Sequence, residues 1–318
     1  MMEIDFESDG FPNRGPVPNG FDKLAITWDD LLWAAITVGR PSRHFVFQHG
    51  RTSLYEALFR ASALRMTLEQ IAPGARRLRR TTAAKSLDPS EKGAVNYFLG
   101  LTLCKLFAEM KLDAPWLLHL DVFRDRLNPS LLSGRSRPDL IGRTTGGKWI
   151  ALESKGRVSP PTADAKTKAK EQAERVVSIR GTPVSYRIGG FAYFKDDVLR
   201  FFWRDPQPDD VERPNSIRLD LAEDDIWRAY YQPILTLVGR DHAAMIERES
   251  TPIPIKEADL KIRVLPEVMR LLRLEKWKDA AHWCMEFKDR LTQHEVHGDG
   301  VQIIAGDSWG KPFEEATK

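Results

Sequence analysis

The stretch RPDLIGRTTGGKWIALESKGR, from Arg137 to Arg157, carries the strongest fold signal in this chain of 318 residues. Two short apolar runs flank the turn sequence Thr-Thr-Gly-Gly at 144–147, and this pattern predicts a β-hairpin. Successive side chains of a strand point to opposite faces, so Glu153 and Lys155 share one face. Asp139 lies at the start of the neighbouring strand and can reach the same point. The hairpin therefore predicts two carboxylates and one ammonium group at one end of a sheet.

The segments on either side of the hairpin predict further helices and strands. An apolar helix is expected before it, and an amphipathic helix followed by two strands after it. In chain order, the predicted elements are a helix at 94–110, a strand at 115–123, the hairpin at 138–155, a helix at 163–179 and strands at 184–194 and 198–203. This order predicts an α/β fold in which helices flank a mixed β-sheet.

The three hairpin side chains suit metal-dependent chemistry on phosphate esters. Carboxylate oxygens are hard ligands that prefer Mg²⁺ or Mn²⁺. Such an ion lowers the pKa of a bound water and offsets negative charge during displacement at phosphorus. A nearby ammonium group can orient the attacking water and stabilise developing charge. Asp139, Glu153 and Lys155 are therefore candidate catalytic residues, and the two acids are candidate metal ligands.

The spacing of these residues resembles a known nuclease motif. Pro138-Asp139, thirteen further residues and then Glu153-Ser154-Lys155 is similar to the motif of the PD-(D/E)XK nuclease superfamily. The predicted element order also resembles the core of that family, which has the restriction-endonuclease-like fold. The resemblance covers about residues 89–205 and implies a Mg²⁺- or Mn²⁺-dependent phosphodiesterase that cleaves DNA. Bacterial restriction or anti-phage defence is the setting that this fold suggests by analogy.

The resemblance also implies accessory residues on the helices that flank the hairpin. Glu91, near the start of the preceding helix, corresponds to a further metal-site acid. An acid at a helix N-terminus can instead stabilise the helix dipole, so both roles stay open. Gln172, on the following helix, corresponds to a further catalytic residue. Lys168, Gln172 and Arg175 share one helical face by their spacing, and a solvated face is the alternative interpretation.

Charge around the hairpin favours a polyanionic substrate. Residues 135–180 contain eleven basic and five acidic side chains, a local excess of six, whereas the net charge of the whole chain is only +3. A local excess of this kind is what contact with a phosphate backbone requires. The side chains predicted to contact nucleic acid are those of Arg137, Arg157, Lys168 and Arg175.

Composition divides the chain into five segments. Residues 1–22 are acidic and rich in Pro and Gly, which predicts a flexible tail. The other predicted segments are an N-terminal helical segment at 23–88, the nuclease-like core at 89–205, a Pro-rich acidic linker at 206–216 and a mainly helical C-terminal segment at 217–318.

Overall composition excludes several classes of protein. With 42% apolar and 29% charged residues, the chain is an ordinary globular sequence rather than a wholly cationic binder. Its two cysteines, Cys104 and Cys284, argue against a disulfide framework and suit a reducing cytoplasm. The longest uncharged apolar stretch, 93–104, is too short to span a bilayer. We therefore expect a cytoplasmic protein with no membrane partner.

Two alternative functions stay open from the sequence. One is a non-catalytic nucleic-acid-binding or assembly subunit that uses a nuclease-like core as a scaffold. The other is an RNA-directed nuclease, because no base-reading module that separates DNA from RNA is recognisable. Trp227, Trp277 and Trp283 in the C-terminal segment predict a surface for a homodimer or a partner protein on the helical flanks.

Overall fold

The computed structural model describes residues 1–48, 53–72, 74–127, 137–205, 216–239 and 251–315. The predicted linker lies outside the described residues except for Ser216. The described chain is an α/β protein in which helices flank a mixed sheet, as the sequence predicts. None of its helices is both long and apolar enough to cross a bilayer.

The strands are numbered in chain order. They are β1 Met2–Asp9, β2 Gly20–Ile26, β3 Leu68–Gln70, β4 Leu78–Arg80, β5 Trp116–His119, β6 Leu140–Arg143, β7 Trp149–Gly156, β8 Val176–Ile179, β9 Thr182–Lys195, β10 Val198–Arg204, β11 Ile217–Leu219, β12 Ile253–Ile255, β13 Leu260–Val264 and β14 Val301–Ala305. The main sheet has the order β2-β1-β10-β9-β7-β6-β5. The pairs β7–β9 and β1–β10 are parallel and the other neighbours are antiparallel, so the sheet is mixed.

The helices are numbered in the same way. They are α1 Trp28–Thr37, α2 Ser53–Thr67, α3 Thr82–Ser86, α4 Pro89–Leu112, α5 Ala163–Ala173, α6 Glu223–Val238, α7 Pro266–Arg273, α8 Trp277–Glu286 and α9 Lys288–Gln293. Two further elements are a π-helical turn at His44–Gln48 and a 3₁₀ segment at Leu120–Arg126.

The first residues form a strand, and the prediction of a flexible tail at 1–22 is wrong. Met2, Ile4 and Phe6 are buried, and acidic residues alternate with them. This alternation has the two-residue period of a strand with one buried face. The outward acids are paired across the sheet, and Asp5 contacts both Arg77 at 3.1 Å and Arg200 at 3.2 Å. The acids therefore belong to a paired strand rather than to a solvated tail.

The predicted hairpin is confirmed. Leu140 lies opposite Leu152, and Arg143 lies opposite Trp149, in antiparallel register between β6 and β7. At the turn, the backbone N–H of Thr144 donates to the carbonyl of Lys148 at 2.9 Å. This register fixes which side chains meet at the far end of the hairpin.

The helix predicted at 163–179 is shorter than expected. Helix α5 ends at Ala173, and residues from Val176 onward form β8. Val176, Val177 and Ile179 are β-branched, and such residues fit a pleated strand better than a helix. The chain thus turns back into the sheet about two helical turns before the predicted end.

Two glycines let helices approach the sheet closely on opposite faces. A Cβ atom at Gly156, the last residue of β7, would lie 1.6 Å from the carbonyl oxygen of Asn96 in α4. A Cβ atom at Gly189 in β9 would lie 3.0 Å from the backbone nitrogen of Lys170 in α5. Because glycine has no Cβ, α4 can pack against the end of β7 and α5 against the middle of β9 without a clash. The end of β7 therefore lies between two helices.

The C-terminal segment contains a second sheet as well as helices. Strands β12, β13 and β14 form an antiparallel sheet, of which the sequence predicts only the strand-like run at 301–305 that becomes β14. Helix α1 packs on β14, and α6 packs on β5. Trp227 is 0% exposed and Trp277 is 2% exposed, so both lie in the core. They therefore offer no argument for a partner surface on this flank, and such a surface stays a prediction.

A buried polar network joins the C-terminal segment to α1 and α4. The Lys105 ammonium group donates to the Tyr230 hydroxyl at 2.7 Å and lies 4.3 Å from the ring centroid of Trp33. The Asp299 carboxylate accepts from Trp33 Nε1 at 3.1 Å and from the Tyr230 hydroxyl at 2.5 Å. Burial lowers the pKa of Lys105 to about 8, against the opposing effect of Asp299. The two oppositely charged groups thus hold distant segments of the chain together.

Candidate active site

The end of the hairpin brings the three motif residues together. Leu140 pairs with Leu152, so Asp139, just before β6, lies beside Glu153 in β7. The Oδ2 atom of Asp139 accepts a hydrogen bond from the backbone N–H of Ser154 at 3.0 Å. Asp139, Glu153 and Lys155 all line one cavity of 270 Å³. The predicted convergence of two carboxylates and one ammonium group is therefore present.

This cavity, the hairpin cleft, is defined by eight residues. It is open to solvent at one end of the main sheet, and its lining is mostly polar. The lining residues are His119, Asp121, Arg137, Pro138, Asp139, Glu153, Lys155 and Gln172. They come from the end of β5, the hairpin and α5, so three parts of the core contribute to it.

The two acids of the cleft repel one another in a desolvated position. Burial raises the pKa of Glu153, and the nearby Asp139 carboxylate raises it further. Burial also raises the pKa of Asp139, although the Ser154 N–H and the Lys155 ammonium group act in the opposite direction. Glu153 is 1% exposed, and its Oε2 atom has no hydrogen-bond partner among the described residues. A buried carboxylate oxygen without a partner destabilises the free protein.

Lys155 contacts the carboxylate of Glu153. Its amino group forms an ion pair with Glu153 Oε1, and its side chain is 42% exposed at the mouth of the cleft. Burial lowers the pKa of Lys155, but the charge and hydrogen bond of Glu153 outweigh this effect, so the pKa is raised overall. Lys155 is thus held as a cation beside the acid pair, with part of its ammonium group still facing solvent.

The donor set of the cleft fits a divalent cation that keeps several non-protein ligands. Among the described residues, no group of three or more His, Cys, Asp and Glu side chains is arranged to hold a metal. The cleft instead offers two carboxylates, one of which has the free oxygen of Glu153. Mg²⁺ is commonly held by one or two carboxylates, with water and substrate phosphate oxygens completing its shell. A cation here would satisfy that oxygen and offset the repulsion between Asp139 and Glu153.

Glu91 lies elsewhere, and its predicted place in a metal site is wrong. It occupies the third position of α4, where its carboxylate accepts from the backbone N–H of Asp88 at 3.1 Å. Asp88 in turn accepts from the N–H of Glu91, which completes a reciprocal cap. Glu91 is exposed and is not among the described residues that line the hairpin cleft. The helix-stabilising role that the sequence left open is the one observed.

The three polar residues predicted to share a face of the following helix separate in the structure. Gln172 lines the hairpin cleft from α5. Lys168 is exposed and pairs with Asp164 at 2.9 Å, which raises the pKa of Lys168. Arg175 lies beyond the end of α5, in the turn before β8, so the predicted i, i+7 relation to Lys168 does not hold. Only Gln172 of the three faces the cleft.

The two remaining predicted nucleic-acid contacts flank the hairpin. Arg137 lines the cleft and forms an ion pair with Asp121 at 2.6 Å. Arg157 follows β7, and its backbone N–H donates to the carbonyl of Ala192 at 2.8 Å. It is half-buried and is not among the described cleft residues. Besides Lys155, Arg137 is therefore the charged basic side chain among the described residues that line the cleft.

Sequence reasoning did not assign Asp121 to the site and set His119 aside. His119 Nδ1 accepts from the backbone N–H of Asp121 at 3.2 Å, and Nε2 lies 3.1 Å from the Tyr97 hydroxyl. Burial lowers the pKa of His119, despite the opposing charge of Asp121. The imidazole is therefore neutral and carries its proton on Nε2. The only signal in the sequence was the position of both residues at the end of a strand predicted to adjoin the hairpin.

No protein-family model matches this chain, and neither a search of curated proteins nor a search of solved structures gave a match. The geometry of the hairpin cleft and the motif that forms it are therefore the features from which a function can be inferred.

Proposed function

We propose that this protein is a metal-dependent nuclease that hydrolyses phosphodiester bonds in DNA. The observation that carries the proposal is the buried pair of Asp139 and Glu153, with the ammonium group of Lys155 in contact with Glu153. A protein rarely buries two carboxylates together without a function, because each raises the free energy of the other's ionised form. A divalent cation supplies the positive charge that this arrangement lacks, and the bound cation would in turn attract a phosphate ester.

The order of elements supports a restriction-endonuclease-like core of the PD-(D/E)XK type. Helix α4, strands β5, β6 and β7, helix α5 and strand β9 follow one another in the order that the resemblance implies, with the short strand β8 inserted. The motif acids lie on the central hairpin of this unit. The proposed core extends over about residues 89–205, and β1 and β2 from the N-terminal part of the chain extend its sheet.

Each polar side chain of the cleft has a role in the proposed reaction. Asp139 and Glu153 would hold Mg²⁺ or Mn²⁺, which when bound polarises a phosphate oxygen and makes water more acidic. Lys155, fixed by Glu153, presents its remaining N–H donors to the attacking water or to a phosphate oxygen. The side-chain amide of Gln172, which lies on α5, can donate or accept a hydrogen bond in the cleft. Arg137 contributes positive charge at the rim, where the substrate backbone would lie.

The neutral state of His119 restricts its role. Its Nδ1 atom is occupied by the Asp121 N–H, and its Nε2 atom faces the Tyr97 hydroxyl. With both ring nitrogens bonded inside the protein, His119 is suited to positioning Asp121 and Tyr97 rather than to accepting a proton from water. The proton of the attacking water would therefore leave toward solvent, because Lys155 is already protonated.

The substrate and the biological setting are proposed from the local charge and from analogy with the fold. The basic excess at 135–180 favours a nucleic-acid substrate, and we propose DNA on the resemblance to the nuclease family. A cytoplasmic protein of bacterial restriction or anti-phage defence is proposed by the same analogy. RNA cleavage is the alternative that the experiment below separates from DNA cleavage.

The test is a cleavage assay with the purified full-length chain. Plasmid, linear duplex and single-stranded DNA, and RNA of the same sequence, are incubated with Mg²⁺, Mn²⁺ or EDTA. We expect metal-dependent cleavage of DNA that Asp139→Asn and Glu153→Gln abolish. Glu91→Gln is the matched control, because it makes the same carboxylate-to-amide change outside the cleft, and it should cleave like the wild type.

Two results would contradict the proposal. Cleavage that survives in both cleft variants would come from a contaminant or from another site. Nucleic-acid binding without cleavage, under every metal condition, would instead favour the non-catalytic binding or assembly subunit. Preferential cleavage of RNA would keep the chemistry and change the substrate.

A further inference from the structure

A second cavity adjoins the 3₁₀ segment Leu120–Arg126, which also contributes to the hairpin cleft. It has a volume of 220 Å³ and a mainly polar lining. Three arginines and two phenylalanines line it, and we refer to it as the arginine pocket. The arginine pocket includes Arg43, Phe47, Phe123, Arg126, Asp225 and Arg228.

Two guanidinium groups of the pocket converge on one aromatic ring. The guanidinium carbon of Arg43 lies 5.5 Å from the ring centroid of Phe47, and that of Arg228 lies 5.3 Å from the same centroid. Arg43 precedes the π-helical turn at His44–Gln48, whereas Arg228 belongs to α6. Segments far apart in sequence therefore place two positive charges around one ring, and the aromatic faces hold them in position.

The carboxylates near these arginines neutralise them only weakly. Asp125 lies 3.6 Å from Arg43, and Asp225 lies 3.7 Å from Arg126. Both pairs are long and about half exposed or more, so each contributes little and exchanges readily with other ligands. Three guanidinium groups and two carboxylates leave the pocket net positive. Such a site favours a small anion with several oxygen acceptors, and guanidinium groups bind phosphate in a bidentate manner.

The arginine pocket is joined to the hairpin cleft through one short segment. Asp121 lines the cleft, while Val122, Phe123 and Arg126 line the pocket. The segment is kinked at Phe123, and five residues of chain place the Cα atoms of Asp121 and Arg126 at most about 18 Å apart. About five nucleotides along one strand of B-form DNA span that upper limit. A strand whose scissile phosphate lies in the cleft can therefore extend past the pocket.

We propose that the arginine pocket binds a phosphate group of the same nucleic-acid strand that is cleaved in the hairpin cleft. This inference rests on the proposed nuclease function and adds a second anchor for its substrate. Arg43 and Arg228 bind the phosphate oxygens, and Arg126 adds a third guanidinium group from the 3₁₀ segment that also carries Asp121. The phosphate is either an internal phosphodiester or the terminal phosphate of a strand end, which are the same chemistry from two sources.

The test measures binding without cleavage. The full-length chain is titrated against a fluorescein-labelled DNA duplex in EDTA, by fluorescence anisotropy, over a series of NaCl concentrations. We expect Arg43→Gln/Arg228→Gln to weaken binding about 10-fold and to reduce the slope of log Kd against log salt by about 2, one for each phosphate-binding cation lost. Arg126→Gln should weaken binding less, with a slope change of about 1.

The matched control removes the same charge from another exposed surface. Arg270 pairs with Glu267 on α7, and Arg290 lies 4.9 Å from the ring centroid of Phe287, so Arg270→Gln/Arg290→Gln also includes an arginine over an aromatic ring. This variant should bind DNA with an affinity and a salt slope close to those of the wild type. Equal losses in the two double variants would mean that overall charge alone is measured, and would overturn the proposal.

Two further measurements identify the source of the phosphate and check that the variant is folded. Duplexes with a 5′-phosphate and with a 5′-hydroxyl are compared, and tighter binding of the first that disappears in Arg43→Gln/Arg228→Gln assigns the pocket to a strand end. Equal binding of both, with the loss in the variant retained, assigns it to an internal phosphodiester. Arg43 and Arg228 are exposed, so thermal unfolding of the variant should match the wild type.

The DNA-binding assay and the cleavage assay test the two proposals separately. If the wild type cleaves DNA and Arg43→Gln/Arg228→Gln binds it equally well, the pocket inference fails and the nuclease proposal stands. If the wild type cleaves nothing but its DNA binding depends on Arg43 and Arg228, the nuclease proposal fails and the phosphate pocket stands.

Discussion

Asp139 accepts a hydrogen bond from the backbone N–H of Ser154 at 3.0 Å, and this bond joins the start of β6 to the end of β7. The carboxylate of Asp139 is therefore oriented by the sheet itself before any ligand arrives. Because the donor is a backbone group beside Glu153, any movement that separates the two strands also separates the two acids. The geometry of the site is in this way tied to the register of the hairpin.

Glu153→Gln should remove activity while stabilising the metal-free protein. The substitution keeps the side-chain shape but removes a buried negative charge that repels Asp139. We expect cleavage to fall by a factor of about 100 or more, since the metal loses a ligand. The melting temperature in EDTA should rise by about 2 °C or more. Differential scanning calorimetry checks this, with the exposed Glu286→Gln as control; a lower melting temperature would contradict the proposed repulsion.

Lys155→Ala should separate metal binding from chemistry. Lys155 contacts Glu153 but has no oxygen to offer a metal, so Mn²⁺ should still raise the melting temperature of the variant. A ligand at 100 times its Kd stabilises the folded state by about 2.7 kcal/mol. Cleavage should nevertheless be lost. Asp139→Asn provides the contrast, because it should lose both properties, and a variant of Lys155 that cleaves normally would remove this residue from the mechanism.

Lys105→Met should be strongly destabilising, although it lies outside the hairpin cleft. Its ammonium group is fully buried in the network that contains Asp299 and Tyr230. Lys105 and Asp299 are linked through the Tyr230 hydroxyl, and removing one of two coupled buried charges leaves the other uncompensated, at a cost of about 3–5 kcal/mol. Lys105→Met/Asp299→Asn should recover part of this loss. Urea unfolding, followed by tryptophan fluorescence, measures the free energy of unfolding of the single and double variants. If the effects of the two single substitutions simply add up in the double variant, the two groups do not interact.

His297 should make the unfolding free energy depend on pH in a defined direction. Burial lowers the pKa of His297, but the contact with Glu109 and the charges of Asp299 and Asp30 outweigh this, so its pKa is raised overall. Because the folded-state pKa exceeds the unfolded value, the stabilisation is complete below about pH 6.5 and is lost as the pH rises through the folded-state value.

The measurement compares the wild type with His297→Gln across this range. The difference in their free energies of unfolding, from urea titrations in EDTA, should be largest at low pH and should narrow as the pH rises. A constant difference would mean that His297 stabilises the protein only through its stacking on Trp33, whose ring centroid lies 3.9 Å away.

Sequence reasoning succeeded where the determinants are local. The β6–β7 hairpin and the convergence of Asp139, Glu153 and Lys155 depend on twenty-one contiguous residues, Arg137–Arg157, and on the two-residue period of strands. These features of the hairpin need no knowledge of how distant segments pack. Gln172, on the next helix, was instead indicated by the resemblance to the nuclease family.

Sequence reasoning failed where one residue pattern fits two structural roles, or where the contact partner of a residue is distant in the sequence. Glu91 occupies a position at which a helix cap and a metal ligand look identical in sequence, and the cap is what forms. Asp121 reaches the cleft only because β5 pairs with β6, and nothing local to Asp121 indicates that pairing. The acidic residues of β1 resemble a solvated tail until their cationic partners, such as Arg200, are brought beside them.

The position of β1 has a consequence for how the chain acquires its structure during synthesis. Asp5 lies opposite Arg200 in the parallel β1–β10 pair, so the two partners emerge from the ribosome 195 residues apart. At about 5–20 residues per second, β1 waits about 10–40 s for β10. During that interval β2 pairs with one edge of β1, and Phe107 of α4 can pack on Phe6, but the other edge of β1 has no β10 to pair with. A nascent chain that stalls before β10 therefore leaves this edge of β1 unpaired and accessible to chaperones.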